Sequence, residues 1–257
     1  MARLLKVVSC GLAIMALGIF IASCGSSNAQ YRIVNAIAAP SGPQYAVDIY
    51  VNNTPTSSTT PTPTFPDVGF ESTVPNSGYQ RVASGGETLL VFQTTQTANP
   101  WVNTPLNLAS DTDYTVVLGG NTNASGATYP YEAHIVTDTN PTPNTGQLMF
   151  RILDASLSTG SVDVYISPTE DGFQTGGKVA SGLSYPTTTN SGSFSSNYTN
   201  VGISTSGNLT AYVTVSGTTT VIGISPTYAV SAGQLHTIVL VDQPGGTQPP
   251  GFLLLTP

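Results

Sequence analysis

The stretch "YRIVNAIAAPSGPQYAVDIYVNN", Tyr31–Asn53, decides the fold of this 257-residue chain, because it returns as "FRILDASLSTGSVDVYISP" at Phe150–Pro168. Each copy opens on an aromatic residue followed by Arg-Ile, and after a loop each continues as Val-Asp-Ile/Val-Tyr. An ordered series of this kind predicts two copies of one domain. Two further pairs of segments keep the same order: "YQRVASGGETLLVFQT" (Tyr79–Thr94) with "YTNVGISTSGNLTAYVTV" (Tyr198–Val215), and "DYTVVLGG" (Asp113–Gly120) with "LHTIVLVD" (Leu235–Asp242).

The local hydrophobic periods are those of β-strands. In "VDIYV", Val47, Ile49 and Val51 fall on one face, and "VDVYI" repeats the pattern in the second copy. Residues 116–118 and 238–241 are apolar without alternation, as expected of central strands that are buried on both sides. Short strands separated by Gly, Asn and Pro turns, with about 110 residues per copy, predict an antiparallel β-sandwich in each.

The first segment of the chain has the pattern of an export signal. Arg3 and Lys6 precede the uncharged apolar run Val7–Ala22, which is shorter than the ~20 residues that a membrane-spanning helix needs. The run ends in Ile-Ala-Ser-Cys, which resembles a bacterial lipobox with Cys24 as the lipidated residue. We therefore expect a signal helix and lipoprotein signal peptide at residues 1–23, and attachment to membrane lipid through Cys24.

Cysteine usage and charge narrow the function further. Removal of residues 1–23 takes Cys10 away, and the single remaining cysteine forms neither an internal disulfide nor a zinc cluster. Gly25 is not the aspartate associated with inner-membrane retention, which favours the outer membrane or cell surface of the bacterial envelope. The same cleavage leaves four cations against 13 acids, which argues against nucleic-acid binding.

The motif series resembles the bacterial family catalogued as domain of unknown function 4397. It comprises Arg-Ile-Val/Leu-Asn/Asp-Ala, Val-Asp-Ile/Val-Tyr, Tyr-x-x-Val before a Gly turn, and Tyr/His-Thr-Val/Ile-Val. The loops "IAAPSGPQYA" and "SLSTGS" depart from the family's Pro-Asp-Ala-Pro-like loop. The resemblance implies an all-β chain with two tandem immunoglobulin-like/prealbumin-like antiparallel β-sandwich domains, and it implies no established activity. The expected divisions are a tether at 24–30, a first repeat at 31–138, a linker at 139–147 and a second repeat at 148–257.

The arginines that open the two repeats occupy equivalent places, and an aspartate follows each on the next strand. These pairs are Arg32 with Asp48, and Arg151 with Asp163. We predict a structural ion pair across the strands in each repeat, worth roughly 0.2–1 kcal/mol when exposed. The alternative is a ligand-binding carboxylate beside a guanidinium. The structural interpretation is preferred because these residues lie within strands rather than on loops.

The sequence contains no recognisable catalytic constellation. His134 and His236 are not accompanied by a Gly-x-Ser-x-Gly nucleophile turn. The acids of Asp111–Asp113 and Glu170–Gly172 could contribute to a calcium site, but without further spaced acids they are typical of turns. We therefore predict no catalytic residue, no metal and no cofactor.

Trp101 is the only tryptophan, and Asn99, Pro100 and Asn103 surround it. An exposed indole there would be a platform for stacking a sugar, whereas a buried one would belong to the core. The sequence favours a lipid-anchored envelope or surface protein with a non-catalytic structural or adhesive role, whose partner is an envelope polysaccharide or a surface protein. The alternative is a carbohydrate-binding surface module that uses Trp101 or exposed tyrosines as its platform, and an enzyme acting on envelope glycans ranks third.

Overall fold

The structure is a computed structural model, and it describes residues 28–38, 46–52, 62–120, 131–168, 171–173, 177–186, 194–202, 207–243 and 250–256. These residues form 18 β-strands and no α-helix, in four sheets. None of them belongs to a helix long and apolar enough to cross a membrane. The predicted signal helix and Cys24 lie outside the described residues. We refer to residues 28–138 as unit 1 and to residues 147–256 as unit 2.

The described residues of unit 1 form nine strands in two sheets. Inner sheet 1 has the order β4-β1-β8-β9, with β5 also paired to β1, and outer sheet 1 has the order β3-β2-β6-β7. The strands are β1 (Asn28–Asn35), β2 (Val47–Val51), β3 (Phe65–Val68), β4 (Ser72–Val74), β5 (Gln80–Ala83), β6 (Gly85–Gln93), β7 (Val102–Leu108), β8 (Asp113–Gly119) and β9 (Glu132–Asp138).

Unit 2 repeats this arrangement. Inner sheet 2 has the order β13-β10-β17-β18, and outer sheet 2 has the order β12-β11-β14-β15, with β16 also paired to β14. The strands are β10 (Gln147–Asp154), β11 (Val162–Pro168), β12 (Lys178–Leu183), β13 (Thr199–Gly202), β14 (Gly207–Val215), β15 (Val221–Ile224), β16 (Tyr228–Val230), β17 (Leu235–Val241) and β18 (Gly251–Leu255). The predicted all-β class with sandwich domains is confirmed.

One parallel pair in each unit goes beyond the antiparallel prediction. β1 lies parallel to β8, with Arg32 opposite Thr115, and β10 lies parallel to β17, with Arg151 opposite Thr237. The remaining described pairings are antiparallel. The opening strand of each unit is therefore joined directly to a strand near the end of that unit.

Alternating side chains place a core between the two sheets of each unit. In unit 1, Ile33, Val116 and Leu118 of the inner sheet share one fully buried cluster with Val47 and Ile49 of the outer sheet. Each such side chain contributes about 1.5–3 kcal/mol through its removal from water. The alternation predicted for "VDIYV" is confirmed, since its valine and isoleucine side chains face this core.

The two units pack against each other through their inner sheets. Val34 and Val117 of inner sheet 1 share a buried cluster with Leu153, Val239 and Leu255 of inner sheet 2. The unbroken apolar runs of β8 and β17 follow from this arrangement, because alternate residues face their own core and the other unit. The described part of the chain therefore forms four stacked sheets, with the interface between the units at the centre.

The strand boundaries differ from the predicted divisions at two points. β1 begins at Asn28, so the last three residues of the tether predicted for 24–30 belong to the sandwich. Ala29 is fully buried in the core of unit 1, and Gln30 pairs with Arg81 of β5. β10 begins at Gln147, the last residue of the predicted linker.

Candidate functional site

Two arginines lie in the interface between the units, at the equivalent positions that the repeat motif gives them. Arg32 of β1 and Arg151 of β10 are 3% and 1% exposed. Arg32 Nε donates to Thr115 Oγ1 at 2.9 Å, and Arg151 Nε donates to Thr237 Oγ1 at 3.2 Å. Each guanidinium is thus oriented by the threonine on the parallel neighbouring strand. We call this group, together with Asp138, Tyr79 and Tyr198, the arginine cluster.

A tyrosine ring lies against each guanidinium. The guanidinium carbon of Arg32 is 4.9 Å from the ring centroid of Tyr79, and that of Arg151 is 5.0 Å from the centroid of Tyr198. The Tyr79 hydroxyl donates to Asp138 Oδ2 at 2.8 Å. Burial, reinforced by the Asp138 charge, raises the pKa of Tyr79 far above its ordinary value. The phenol therefore remains a hydrogen-bond donor at every physiological pH.

The carboxylate of Asp138 lies near both arginines, but it is much closer to Arg151 than to Arg32. Arg151 Nη1 lies 2.6 Å from Asp138 Oδ1, whereas Arg32 Nη2 lies 3.8 Å from Asp138 Oδ2. Each guanidinium also reaches a backbone carbonyl of the other unit: Arg32 Nη1 donates to Thr256 at 2.5 Å, and Arg151 Nη1 donates to Thr137 at 3.4 Å. The described residues of the cluster therefore hold two positive charges and one negative charge.

The predicted ion pairs between Arg32 and Asp48, and between Arg151 and Asp163, are wrong. Each arginine and its proposed partner belong to different sheets, because β1 and β10 lie in the inner sheets whereas β2 and β11 lie in the outer sheets. The arginine points away from the core toward the other unit, and the aspartate points out of the far side of the sandwich. Asp48 instead accepts the backbone N–H groups of Asp67 on β3 and of Thr95, at 2.9 and 3.3 Å.

Asp163 does form an ion pair, but with Lys178, whose Nζ lies 2.7 Å from Asp163 Oδ2. The backbone N–H groups of Gly182 and Gly217 donate to the same carboxylate at 2.9 and 3.1 Å, and the Ser216 hydroxyl donates at 3.0 Å. The hydrogen bond from Lys178 is the largest of the effects that hold the pKa of Asp163 well below its ordinary value. This carboxylate fastens the turns at one end of outer sheet 2.

A second pair of acids, which the sequence analysis did not single out, holds the loop after β10. Asp154 and Asp242 are 1% and 2% exposed. Asp154 Oδ1 accepts the Ser156 N–H at 3.1 Å, and Asp242 accepts the N–H groups of Leu157 and Ser158, both at 3.0 Å. Burial raises the pKa of Asp154 to about 7, and the Asp242 charge acts in the same direction. Because N–H donors occupy these oxygens, the pair is arranged to hold a loop rather than a cation.

The acidic turn considered for calcium makes contacts within the protein. Asp113 accepts hydrogen bonds from Gln30 Nε2 at 3.1 Å and from Asn140 Nδ2 at 3.0 Å. Glu170 lies outside the described residues. In the part of the chain that the structure describes, no three His, Cys, Asp or Glu side chains are grouped to hold a metal ion.

The two histidines lie in separate surroundings, His134 half-buried and His236 buried. His134 Nε2 is 3.1 Å from the Tyr185 hydroxyl and 3.8 Å from Glu132 Oε2, and burial lowers the pKa of His134 to about 4. His236 Nε2 is 3.2 Å from Gln234 Oε1, and burial lowers its pKa as well. Both imidazoles are therefore neutral at pH 7, and Tyr185 joins a loop of unit 2 to β9 of unit 1.

Trp101 is a half-buried residue at the edge of the unit 1 core. Its ring is stacked on that of Tyr131, with centroids 4.5 Å apart and ring planes 9° apart. One face of the indole is therefore covered by another aromatic ring. The preceding Asn99 and Pro100 are exposed.

Solved structures that align with most of the chain include carbohydrate-binding modules. One is CBMbc of family CBM26 from Eubacterium rectale Amy13K in complex with maltoheptaose. It is 9% identical, the alignment covers 90% of this chain and 97% of that chain, and the TM-score is 0.22. Another concerns alpha-glucan binding by a streptococcal virulence factor, at 10% identity, 86% and 96% coverage and a TM-score of 0.23. Family 41 carbohydrate-binding modules from streptococcal virulence factors align at 12% identity, 87% and 95% coverage and 0.23. These TM-scores carry no argument about what the present chain binds.

No curated protein matches the chain. The family described as Domain of unknown function (DUF4397) matches residues 29–165, which is more than half of the sequence. The match begins in β1 and ends in β11, so it contains unit 1 and the opening Arg-Ile and Val-Asp motifs of unit 2. On this evidence the chain belongs to the DUF4397 family.

Proposed function

We propose that this chain is a lipid-anchored protein of the bacterial cell envelope, built from two copies of the DUF4397 domain, with a non-catalytic structural or adhesive role. The observation that carries the proposal is the interface between the units. Its apolar cluster and the arginine cluster join two inner sheets face to face. A protein that bridges or supports other molecules benefits from such coupling, because a rigid body loses less conformational entropy on binding.

The buried acids support the non-catalytic part of the proposal. The carboxylates of Asp138, Asp154 and Asp163 all accept hydrogen bonds from neighbouring protein groups. Each of these carboxylates holds together a strand end, a loop or the interface between the units. A general acid or base needs a proton that it can exchange with substrate, and these three groups are engaged in holding the fold.

Anchoring is tested by following the lipid. In cells given labelled palmitate, we expect label in the parent chain and in Cys10→Ala, and no label in Cys24→Ala. The Cys24→Ala protein should also leave the membrane fraction. Label that persists in Cys24→Ala would contradict the lipoprotein assignment without affecting the adhesive role.

The adhesive role is tested with the full chain in detergent micelles against panels of envelope polysaccharides and surface proteins. We expect saturable binding of at least one component, which is recovered chemically unchanged. Release of a cleaved or modified product would overturn the non-catalytic assignment, and the absence of binding across both panels would overturn the adhesive one.

Carbohydrate binding at Trp101 is the second candidate, and its partial exposure beside exposed Asn99 and Pro100 favours it. Because Trp101 is the only tryptophan, tryptophan emission that is excited selectively, without the 12 tyrosines, reports this position alone. A glycan that stacks there should shift the emission of the parent chain and of a Phe173→Ala control, and should lose affinity for Trp101→Ala. Unchanged emission while a glycan binds would place the sugar elsewhere.

A further inference from the structure

A groove of about 370 Å³ lies at the junction of the two units, beside the arginine cluster. Unit 1 contributes Arg32, Ser72 and Thr73 and the turn at residues 75–78, and unit 2 contributes residues 253–256 at the end of β18. Since the walls come from both inner sheets, neither unit contains the groove by itself. It is a consequence of the interface, and no single repeat motif encodes it.

The guanidinium of Arg32 is only partly engaged by the protein. Its Nε donates to Thr115, and its Nη1 donates to the carbonyl of Thr256. Its Nη2 faces Asp138 Oδ2 at 3.8 Å, which is too long for a hydrogen bond. Among the described residues, therefore, Nη2 donates no hydrogen bond, although the side chain lines the groove.

The charge around Arg32 is also incomplete. Among the described residues, Asp138 is the acid that pairs with Arg32, and its Oδ1 lies 2.6 Å from Arg151 Nη1. Two guanidiniums that are 3% and 1% exposed thus share one carboxylate in the described part of the chain. A buried charge without a counter-charge is costly, so the second guanidinium creates a local preference for one further negative charge.

Polar residues with short side chains form part of the groove wall next to Arg32. Ser72, Asn76 and Ser77 line the groove with Arg32. The hydroxyl of Thr73, a fourth lining residue, is buried and has no hydrogen-bond partner among the described residues. Hydroxyl and amide groups both donate and accept hydrogen bonds, which matches the hydroxyls of a sugar.

We propose that this groove binds an acidic sugar, with the carboxylate of a uronic acid on Arg32 and the sugar hydroxyls on the serine, threonine and asparagine side chains. A carboxylate is preferred over phosphate because it carries a single negative charge, which matches the one excess positive charge of the cluster, whereas a phosphate group carries about −1.5 to −2 at pH 7. The proposal is independent of the adhesive role and of Trp101, which lies in another part of unit 1.

The first experiment is calorimetric titration of the full chain in detergent micelles with glucuronate, glucose and inorganic phosphate. We expect saturable binding of glucuronate at least tenfold tighter than that of the other two. Failure of glucuronate to bind would overturn the proposal. Equal affinity for glucose would remove the role of the carboxylate, and equal affinity for phosphate would make the groove a general anion site; either result contradicts the assignment.

The second experiment assigns the binding to the groove. Thr73→Val keeps the side-chain shape and removes a hydroxyl that the described fold does not use, so we expect a several-fold weaker glucuronate affinity without a lower unfolding midpoint. Asn76→Ala, at an exposed position, should act similarly, and Asn107→Ala on β7 is the matched control with parental affinity. Arg32→Gln should abolish binding, but only these milder variants separate lost binding from lost folding. Parental affinity in both Thr73→Val and Asn76→Ala would overturn the site.

Discussion

The two units share a strand order but fasten equivalent positions with different chemistry. At the end of the opening strand, Asn35 Oδ1 accepts the Ile37 N–H at 3.2 Å, and Asp154 Oδ1 accepts the Ser156 N–H at 3.1 Å. In both units a side-chain oxygen accepts the N–H two residues further on, at nearly the same distance. The group that carries this oxygen is a neutral amide in unit 1 and an ionisable carboxyl in unit 2. The backbone turn thus requires an oxygen at this position but does not require a charge.

Equivalent aspartates on the second strand of each unit differ in the same way. Asp48 is partly exposed and accepts two backbone N–H groups. Asp163 is 1% exposed and adds an ammonium group and two hydroxyls to its backbone donors. Unit 2 consequently depends more on its buried charges than unit 1 does, and three sets of substitutions test this difference.

The largest effect is expected at the arginine cluster. Arg151→Met leaves Asp138 buried without its 2.6 Å partner, which should lower the free energy of unfolding by about 3–5 kcal/mol. Arg32→Met should cost less, because Asp138 keeps Arg151. Denaturant unfolding of the full chain measures both.

Arg81→Met, on the exposed side of β5, is the control and should lie within about 0.5 kcal/mol of the parent. Equal losses in Arg32→Met and Arg151→Met would contradict the unequal sharing of Asp138.

The second effect compares the equivalent aspartates directly. Asp163→Asn replaces a charged acceptor of several hydrogen bonds and should cost about 2–3 kcal/mol, whereas Asp48→Asn should cost less than about 1 kcal/mol. Unfolding midpoints of the two variants under identical conditions give the comparison. A loss at Asp48 as large as that at Asp163 would show that exposure does not separate the two positions.

The smallest effect is expected at Asp154, where a substitution should change how the free energy of unfolding depends on pH. Its pKa is raised to about 7 from 3.8, so between these values the folded chain holds a proton that the unfolded chain has released. Its contribution to stability is therefore complete below pH 3.8 and is lost as the pH rises to about 7. Asp154→Asn, which copies Asn35 of unit 1, should remove a loss of about 1 kcal/mol between pH 5 and pH 6.

The free energy of unfolding has to be compared between variant and parent at each pH, because titration of His134 changes it in the opposite direction. Its folded pKa of about 4 lies below the ordinary 6.5, so its contribution is lost as the pH falls through that range. Asp113→Asn, which alters a less buried acid, serves as the control. An identical pH dependence in Asp154→Asn and the parent would mean that another group takes up the proton.

Much of the fold could be predicted from the sequence, since period-two alternation and turn residues are local signals. "VDIYV" and "VDVYI" indicated strands with one apolar face, and the unbroken runs of β8 and β17 indicated strands covered on both sides. The same runs also contained a signal for the interface. If the face of β8 that points away from the core of unit 1 is buried, then Arg32, which lies on the same face of the neighbouring strand, must be buried as well. That step was needed to predict the arginine cluster.

The partners of the arginines could not be predicted, because they depend on which sheet each strand joins. Sequence proximity suggested Asp48 for Arg32, but β1 and β2 lie in opposite sheets. The actual acid, Asp138, is contributed by β9 of unit 1 and is held chiefly by Arg151 of unit 2. The groove beside Arg32 depends on the same interface, and no periodicity along the chain reports how two units face each other.

The parallel pairing of β1 with β8 has a consequence for the order in which the chain can fold. Arg32 and its hydrogen-bonded neighbour Thr115 are 83 residues apart, and Arg151 and Thr237 are 86 apart. Neither inner sheet can close until nearly all of its unit has been synthesised, and pairings this distant in sequence form slowly, on the order of milliseconds to seconds. In a nascent chain of this design, each opening strand therefore waits for its parallel partner until the strand near the end of its unit has been made.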